Sequence, residues 1–220
     1  MTGGSVEGEA ERAEARVTPV VCVLGPPGSG KTETSAALGA QVDADVVHGG
    51  KVLRTLMRRS RRDLLAKRAE DIVSAGRPVP VDLYCEIVGE STRGNGRWLV
   101  LDGYPRNSEQ YQGLPAVCHA AAVWYPLIFG VFLAVDDSEL HRRMGVRRRS
   151  DDTSPELVAR RLELYAENAS GLQSRFRSGG RLLTVSGTMA TANIVDTILR
   201  FVSETSRVAS VDPLLQRSDP

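Results

Sequence analysis

Eight residues near the start of the chain combine glycines, a lysine and a hydroxyl group in a spacing that suits a chain of phosphates. They fit the pattern G-x-x-x-x-G-K-[ST] in full and read Gly25, Pro26, Pro27, Gly28, Ser29, Gly30, Lys31 and Thr32. Such glycines let backbone N–H groups turn toward an anion, and a helix that begins here adds the positive end of its dipole. Lys31 can reach the β and γ phosphates, and the Thr32 hydroxyl can ligate Mg²⁺. The loop predicts binding of ATP or a close relative, but it does not separate a kinase from a GTPase, an ATPase or a switch protein.

A second group of chemically distinctive residues follows an apolar run, where residues 101–107 read LDGYPRN. An acidic residue directly after an apolar strand can order Mg²⁺ through water, and Asp102 stands at that place. Gly103 permits the close approach of a ligand, and Pro105 stiffens the turn that presents Arg106. These four constrained residues together favour a ligand site over a simple turn at the end of a strand.

Short apolar strands are the elements that must position both groups. Four such strands are predicted at residues 19–24, 97–102, 130–135 and 181–186, and residues 45–48 form either a short strand or a turn. Helices are predicted at roughly 30–39, 51–60, 63–75, 81–91, 138–144 and 155–177. Apolar runs separated by helices are typical of a parallel sheet in an α/β protein. We therefore predict an α/β chain with a three-layer α/β/α P-loop NTPase fold and a central parallel sheet.

The composition gives no general case for binding to nucleic acid or membranes. The 220 residues carry a net charge of +1, and of the 28 basic residues only Lys31, Lys51 and Lys67 are lysines. The three cysteines form no CxxC pair, which indicates reduced thiols in the cytoplasm. No apolar run approaches the roughly 20 residues that span a bilayer. We expect a cytoplasmic monomer that binds neither nucleic acid nor membranes.

The chain resembles the nucleoside monophosphate kinases, in particular adenylate kinase and UMP/CMP kinase. The family's GPPGSGKGTQ is similar to GPPGSGKTET at residues 25–34, and its D-G-[FY]-P-R is similar to residues 102–106. Weaker matches pair S-T-G-D-L-L-R with HGGKVLR at residues 48–54, and G-K-L-V-P with GRPVP at residues 76–80. The family's arginine-rich lid and the helix after it resemble residues 143–165. The matches run in order from about Val20 to Val202.

The resemblance implies transfer of a phosphoryl group from Mg-ATP to a nucleoside monophosphate. An ionised phosphate acceptor needs no general base, so the rate comes from positioning and from neutralising charge. The resemblance implies catalytic roles for Lys31, Arg106, Arg143, Arg149 and Arg161. It assigns ATP to loop residues 25–32 with Arg147 and Gly187, and Mg²⁺ to Thr32 and Asp102. It assigns the acceptor to Gly49, Arg54, Val79, Gly103, Arg106 and Gln110.

The same resemblance divides the folded part, residues 18–206, into three regions. These are the sheet domain, an inserted helical acceptor lobe at about 43–93 and a short lid at about 145–152 that has no zinc ligands. The two lobes are expected to close on the substrates and exclude water. The spacing after the lid leaves open whether Arg160 or Arg161 faces the site. Polar residues 1–17 predict a disordered extension, and residues 207–220 predict a flexible tail.

Four residues depart from the family pattern. Thr32 and Glu33 stand where the family has Gly and Thr, so a hydroxyl is kept for Mg²⁺, while Glu33 suits the helix dipole and can alter the Mg²⁺ shell. Gly49 stands where adenylate kinases have Thr, and Lys51 stands where they have an acid. Lys51 either helps to select an acceptor other than AMP or points to solvent.

The sequence leaves the acceptor base open. Gln110 is the residue that adenylate kinases use, whereas Asn107 and the Val79-Pro80-Val81 segment resemble pyrimidine kinases. A glutamine amide can serve either base class, because its donor and acceptor can exchange places by flipping. We favour AMP or dAMP over UMP or CMP. The alternatives are a kinase of a modified nucleotide or other phosphorylated small molecule, and a catalytically idle regulatory protein that binds nucleotides.

Overall fold

The computed structural model describes residues 17–57, 64–74, 78–94, 97–124, 126–146 and 155–211. Within them, five parallel strands form one sheet in the order β2-β3-β1-β4-β5. The strands are β1 (Thr18–Leu24), β2 (Asp45–Val47), β3 (Leu99–Asp102), β4 (Pro126–Ala134) and β5 (Leu182–Ser186). Since the strands are parallel, their carboxyl ends meet at one edge, with β1 at the centre. That edge is where ligands of open α/β sheets bind.

Nine helices of the described residues connect and cover these strands. They are α1 (Lys31–Val42), α2 (Gly49–Met57), α3 (Leu64–Ser74), α4 (Val81–Ser91), α5 (Ser108–Gln112), α6 (Leu114–Ala120), α7 (Asp137–Val146), α8 (Pro155–Ser178) and α9 (Thr191–Val211). One face of the sheet packs on α1 and α9, which bury Leu38 and Ile198. The other face packs on α4, α6 and α8, which bury Leu83, Val117 and Phe176. The predicted three-layer fold is therefore confirmed.

Strand β1 shows why the apolar pattern identified the sheet. Val20 and Cys22 point into one core, and Val21 and Val23 point into the other. Successive side chains of a strand face opposite sides, so a strand covered on both sides must be apolar throughout. All four of these side chains are fully buried.

The four predicted strands are present, with small shifts of their ends and an earlier start for β4 at Pro126. Residues 45–47, which the sequence left as a strand or a turn inside the acceptor lobe, form β2 at the edge of the sheet beside β3. Helices α5, α6 and α9 were not among the predicted helices. Helix α9 continues to Val211, so its last five residues lie where a flexible tail was expected.

Several predicted segments lie outside the described residues. They are the extension up to residue 16, lid residues 147–152 and the tail from residue 212. Residues 145–146 of the expected lid form the end of α7. In the part of the chain that the structure describes, no helix has both the length and the apolar character needed to span a bilayer.

Candidate active site

The phosphate loop joins β1 to α1 at the carboxyl end of the central strand. Gly25, Gly28 and Gly30 have φ angles of 147°, 88° and 91°, which residues with side chains rarely adopt. A Cβ added to Gly25 would lie 2.8 Å from the carbonyl oxygen of Leu133, so the loop passes directly over the end of β4. Gly30 is the N-cap of α1 and gives the first-turn N–H groups no side-chain cap. An anion can therefore cap this helix.

The ammonium group of Lys31 lies within this loop. Its Nζ donates hydrogen bonds to the carbonyl oxygens of Gly25 at 2.8 Å and Pro26 at 2.7 Å, and lies 3.4 Å from Ser29 Oγ. The loop thus encloses a positive charge beside the open end of α1. A bound phosphate would offer this ammonium charged oxygens, which make stronger hydrogen bonds than neutral carbonyls do.

Asp102 ends β3 and comes together with Thr32, as the sequence predicted. Thr32 Oγ1 donates to Asp102 Oδ2 at 2.8 Å, and His48 Nδ1 lies 3.0 Å from the same oxygen. Burial alone would raise the pKa of Asp102. Hydrogen bonds with His48 and Thr32 and the charge of Lys31 outweigh that effect and hold the pKa below its usual value. The carboxylate is therefore charged at neutral pH.

These two residues fit the chemistry of a magnesium site. Mg²⁺ prefers oxygen ligands and is usually held by one or two carboxylates together with substrate phosphates. The Thr32 hydroxyl and the charged Asp102 carboxylate supply such oxygens, and both lie beside the phosphate loop. The donor set therefore suits an ion that enters with the triphosphate.

His48 is a residue of the site to which the sequence analysis gave no role. It directly follows β2, and β2 neighbours β3 in the sheet. Neighbouring parallel strands end at the same edge, so His48 meets Asp102 although 54 positions separate them in the chain. A firm assignment of residues 45–47 as a strand beside β3 would have pointed to this contact.

Gly103 lies close to side chains from both predicted phosphate sites. A Cβ added to Gly103, whose φ is 71°, would lie 3.5 Å from Arg106 Nη2 and 3.7 Å from Lys31 Cε. Arg106 Nε also donates to the Gly103 carbonyl oxygen at 2.9 Å. The lysine of the phosphate loop and the arginine of the DGYPR turn therefore both lie next to the same small residue.

Gln110 is buried and its amide is already bonded at both ends. Its Oε1 accepts from the backbone N–H of Arg106 at 2.6 Å, and its Nε2 donates to the carbonyl oxygen of Val79 at 2.8 Å. Asn107 caps α5 by accepting from the Gln110 N–H at 2.8 Å. A flipped amide would face donor with donor and acceptor with acceptor, so these contacts fix its orientation. Gln110 thus connects the Arg106 turn to Val79.

The departure at Gly49 has a counterpart on α4. A Cβ added to Gly49 would lie 2.8 Å from Cε2 of Tyr84, which leaves no room for the threonine of adenylate kinases. The ring of Tyr84 stacks on Tyr104, with 3.7 Å between the centroids and 7° between the planes. The tyrosine pair therefore takes up the space that a side chain at position 49 would need.

Arg54 and Lys51 share α2 but differ in placement. A Cβ added to Gly50 would lie 3.4 Å from Arg54 Nη1, so the guanidinium of Arg54 folds back over the first turn of the helix. Lys51 is exposed, and the choice between its two predicted roles stays open.

Arg143 lies at the base of the phosphate loop. Its Nη1 donates to the Gly28 carbonyl oxygen at 3.3 Å, and its Nη2 donates to the Gly187 carbonyl oxygen at 3.1 Å. A Cβ added to Gly187 would lie 2.8 Å from the carbonyl oxygen of Ser29, so the chain after β5 passes directly behind the loop. The geometry brings Arg143, Gly187 and the loop together, and their roles with ATP stay predictions.

Acid is expected to weaken the ion pair between Arg143 and Glu139, because it protonates the Glu139 carboxylate. Hydrogen bonds from Arg142 and Arg143 lower the pKa of Glu139 to about 2, against about 4.3 for an unperturbed glutamate. A lowered pKa adds stability that is complete above the unfolded-state value and is lost as the pH falls toward the folded-state value. We expect urea unfolding between about pH 5 and pH 2 to show a steeper loss of stability for the wild type than for Glu139→Gln. Parallel curves would contradict this assignment.

Three predicted arginines have no described side chain. Arg147 and Arg149 lie outside the described residues, and Arg161 is on α8 with its side chain likewise outside them. Arg160 is exposed and forms an ion pair with Glu163. Glu33 accepts a hydrogen bond from Thr191 Oγ1 at 3.0 Å, and its influence on the Mg²⁺ shell stays a prediction.

Changing Gly49 to the threonine of adenylate kinases is expected to destabilise this protein. The new Cβ would meet the ring of Tyr84, which is held on its other side by Tyr104, and overpacking of this kind costs about 1–3 kcal/mol. Urea unfolding of Gly49→Thr measures the loss. The double variant Gly49→Thr/Tyr84→Val removes the ring and should lose less stability than the sum of the single variants. An additive result would show that the two side chains do not compete for space.

Comparison with known proteins agrees with this geometry. Residues 23–180 match the family model described as adenylate kinase. The adenylate kinase of Encephalitozoon cuniculi is 26% identical over 183 residues, which cover 83% of this chain and 97% of that protein. The adenylate kinase of Rhizobium meliloti is 32% identical over 74% of this chain and 89% of its own length. That of Thermus thermophilus is 32% identical over 78% of this chain and 90% of its own length. This chain therefore belongs to the adenylate kinase family and is a nucleoside monophosphate kinase that uses ATP with Mg²⁺.

Proposed function

We propose that this chain catalyses the reversible reaction ATP + AMP ⇌ 2 ADP. The observation that carries the proposal is the approach of Lys31 and Arg106 to Gly103, because it joins the triphosphate loop to a second anion-binding side chain. The relatives named above are adenylate kinases, which supports AMP as the acceptor. The sequence also favours AMP or dAMP over UMP and CMP as the acceptor.

The donor side is proposed to hold and neutralise the triphosphate. The first-turn N–H groups of α1 and the ammonium of Lys31 bind the β and γ phosphates, and Arg143 and Gly187 hold the loop in shape from behind. The Thr32 hydroxyl and the Asp102 carboxylate hold Mg²⁺, which would withdraw charge from the phosphate oxygens when bound. Arg147 and Arg149 of the lid, together with either Arg160 or Arg161 of α8, are proposed to add further positive charge around the phosphates.

The acceptor side is proposed to place an ionised phosphate in line with the γ phosphorus of ATP. Arg106 and Arg54 bind the acceptor phosphate with their forked N–H groups. Because the attacking oxygen is already charged, no side chain has to remove a proton, and the rate comes from position and charge. The acceptor lobe and the lid close over both nucleotides and keep water from the transferring group.

The fixed amide of Gln110 limits which bases the acceptor site can serve. Adenine and cytosine present a ring acceptor next to an amino donor, whereas uracil presents a ring donor next to a carbonyl acceptor. An amide that cannot flip matches only one of these two patterns with its remaining hydrogen and lone pair. The protein should therefore discriminate strongly between AMP and UMP.

A coupled assay of ADP formation with AMP, dAMP, CMP, UMP and adenosine tests the proposal. We expect the highest kcat/KM with AMP or dAMP and little turnover with UMP. Preference for CMP or UMP would identify a pyrimidine kinase. Tight ATP binding without turnover of any acceptor would identify an idle nucleotide-binding protein.

A second candidate acceptor is a hydroxyl group rather than a phosphate. The contact of His48 with Asp102 at 3.0 Å favours it, because a carboxylate that orients a histidine is a common arrangement for general-base catalysis. The adenosine arm of the same assay separates the two candidates. Formation of AMP from adenosine would support the hydroxyl acceptor, and its absence alongside AMP turnover would exclude it.

We also propose that the protein is a cytoplasmic monomer without nucleic-acid partners. The support is the set of thiols, Cys22, Cys85 and Cys118, none of which is in a disulfide, and a net charge of only +1. Light scattering coupled to size exclusion tests the oligomeric state, and a mass of about twice 23.8 kDa would overturn it.

A further inference from the structure

Tyr84 has a buried hydroxyl that forms no hydrogen bond with the described residues. The residue is 3% exposed, and its Oη has no hydrogen-bond partner among the described residues. Buried polar atoms are nearly always paired, because an unpaired one has lost its water and gained nothing in exchange. Such an atom inside a functional site points to a partner that arrives with the ligand.

The hydroxyl lies beside the first turn of α2. The position that a Cβ of Gly49 would take is 3.6 Å from Tyr84 Oη, and no side chain stands between them. The next residue, Gly50, has Arg54 Nη1 at 3.4 Å from its own Cβ position. The hydroxyl of Tyr84 therefore lies near Gly49. The guanidinium of Arg54 lies near Gly50, the next residue of the same helical turn.

The other side of the Tyr84 ring faces the Arg106 turn. The ring stacks on Tyr104, which precedes Arg106 by two residues. Burial raises the pKa of Tyr84, and the charge of Arg106 opposes that rise. The phenol is a neutral donor at neutral pH, and the stacked rings fix its direction.

We propose that Tyr84 Oη donates a hydrogen bond to the phosphate of the acceptor nucleoside monophosphate, between Arg54 and Arg106. The inference rests on the proposed function, since it presupposes a monophosphate acceptor. The hydroxyl is shielded in the structure, so the acceptor reaches it when the first turn of α2 moves away from the ring. Tyr84 supplies a hydroxyl 3.6 Å from the Cβ position of Gly49, where adenylate kinases have threonine.

The test is Tyr84→Phe, which removes one oxygen and keeps the stacked ring. We expect the Kd for AMP, measured by calorimetry, to rise about tenfold or more, because a hydrogen bond to a charged group is lost. The Kd for ATP should stay unchanged. The Kd for adenosine should also stay unchanged, because adenosine has no phosphate to accept the hydrogen bond. The Tm of the ligand-free protein should stay equal or rise, because the variant loses no hydrogen bond. Tyr111→Phe, on a ring that packs against Phe176, is the matched control and should leave the Kd for AMP unchanged.

Three results would overturn the inference. An unchanged Kd for AMP would make Tyr84 a packing residue only. Equal weakening of AMP and adenosine would place the hydroxyl on the nucleoside instead of the phosphate. Weaker AMP binding with a lower Tm would show that the hydroxyl has a structural partner in the free protein. Wild-type protein that phosphorylates none of the monophosphates would instead overturn the proposed function and, with it, this inference.

Discussion

Replacing Lys31 by methionine is expected to lower kcat for phosphoryl transfer by about 10³-fold, the scale found when one charge-stabilising group is removed from an active site. Methionine keeps most of the length of the lysine stem and loses the ammonium. The carbonyl oxygens of Gly25 and Pro26 then lose their shared donor, and the bound phosphates lose a charge that follows the transferring group. The Kd for ATP should rise as well.

Lys67→Met is the matched control, because Lys67 is exposed on α3 and has no assigned role in the site. It should leave kcat within about twofold of the wild type, as most surface substitutions have small effects. Coupled-assay kinetics and ATP calorimetry measure both variants, and far-ultraviolet circular dichroism checks the fold. A Lys31→Met enzyme with wild-type kcat would remove Lys31 from the catalytic set.

Replacing Arg106 by lysine is expected to lower kcat/KM for AMP by about 10²- to 10³-fold, although the charge is kept. A lysine cannot bind phosphate with two parallel N–H groups, and it loses the bond from Nε to the Gly103 carbonyl oxygen. The Kd for ATP should stay near the wild-type value, because the donor contacts at the phosphate loop are intact.

The two variants are expected to have opposite effects on the binding of ATP and AMP. Lys31→Met should weaken ATP binding with little effect on AMP binding, and Arg106→Lys should do the reverse. Arg200→Lys, on the exposed face of α9, is the control for the arginine change and should behave as the wild type. A rise in the Kd for ATP caused by Arg106→Lys, with AMP binding intact, would show that the donor and acceptor sides have been exchanged.

The parts of the site that are contiguous in the chain could be predicted from the sequence. The glycines, lysine and hydroxyl of residues 25–32 and the turn at residues 102–106 identify themselves by order and spacing. Their meeting could be predicted too, because each follows a strongly apolar strand of a parallel sheet. The three-layer fold followed from the same strands.

The parts that depend on packing between distant segments could not be predicted. His48 reaches Asp102 only because β2 pairs with β3, and a three-residue strand has too few apolar residues to identify itself. The orientation of Gln110 is set by the backbone of Val79, which lies 31 positions earlier in the chain. Roles proposed for Arg147 and Arg149 rest on the resemblance, since they lie outside the described residues.

Gly49 shows how a local departure from a family pattern can be matched elsewhere. Read alone, the loss of a threonine from the acceptor segment suggests a damaged site. In the structure, the ring of Tyr84 fills the space that the missing side chain leaves, and its hydroxyl lies beside the same backbone. Only the fold relates residues 49 and 84, so the sequence could show the departure and not its counterpart.

Part of the support of the phosphate loop comes from residues late in the chain, at and after Gly187. Gly187 passes behind Ser29, Thr191 bonds to Glu33, and α9 packs beside α1. During synthesis the amino-terminal segments leave the ribosome first. A nascent chain that has already exposed the loop and Asp102 still lacks β5 and α9, so the loop has no support on that side. Nucleotide binding should therefore begin only late in translation. An mRNA that ends before the codons for β5 should yield a polypeptide that contains residues 25–32 and 102–106 but does not bind ATP.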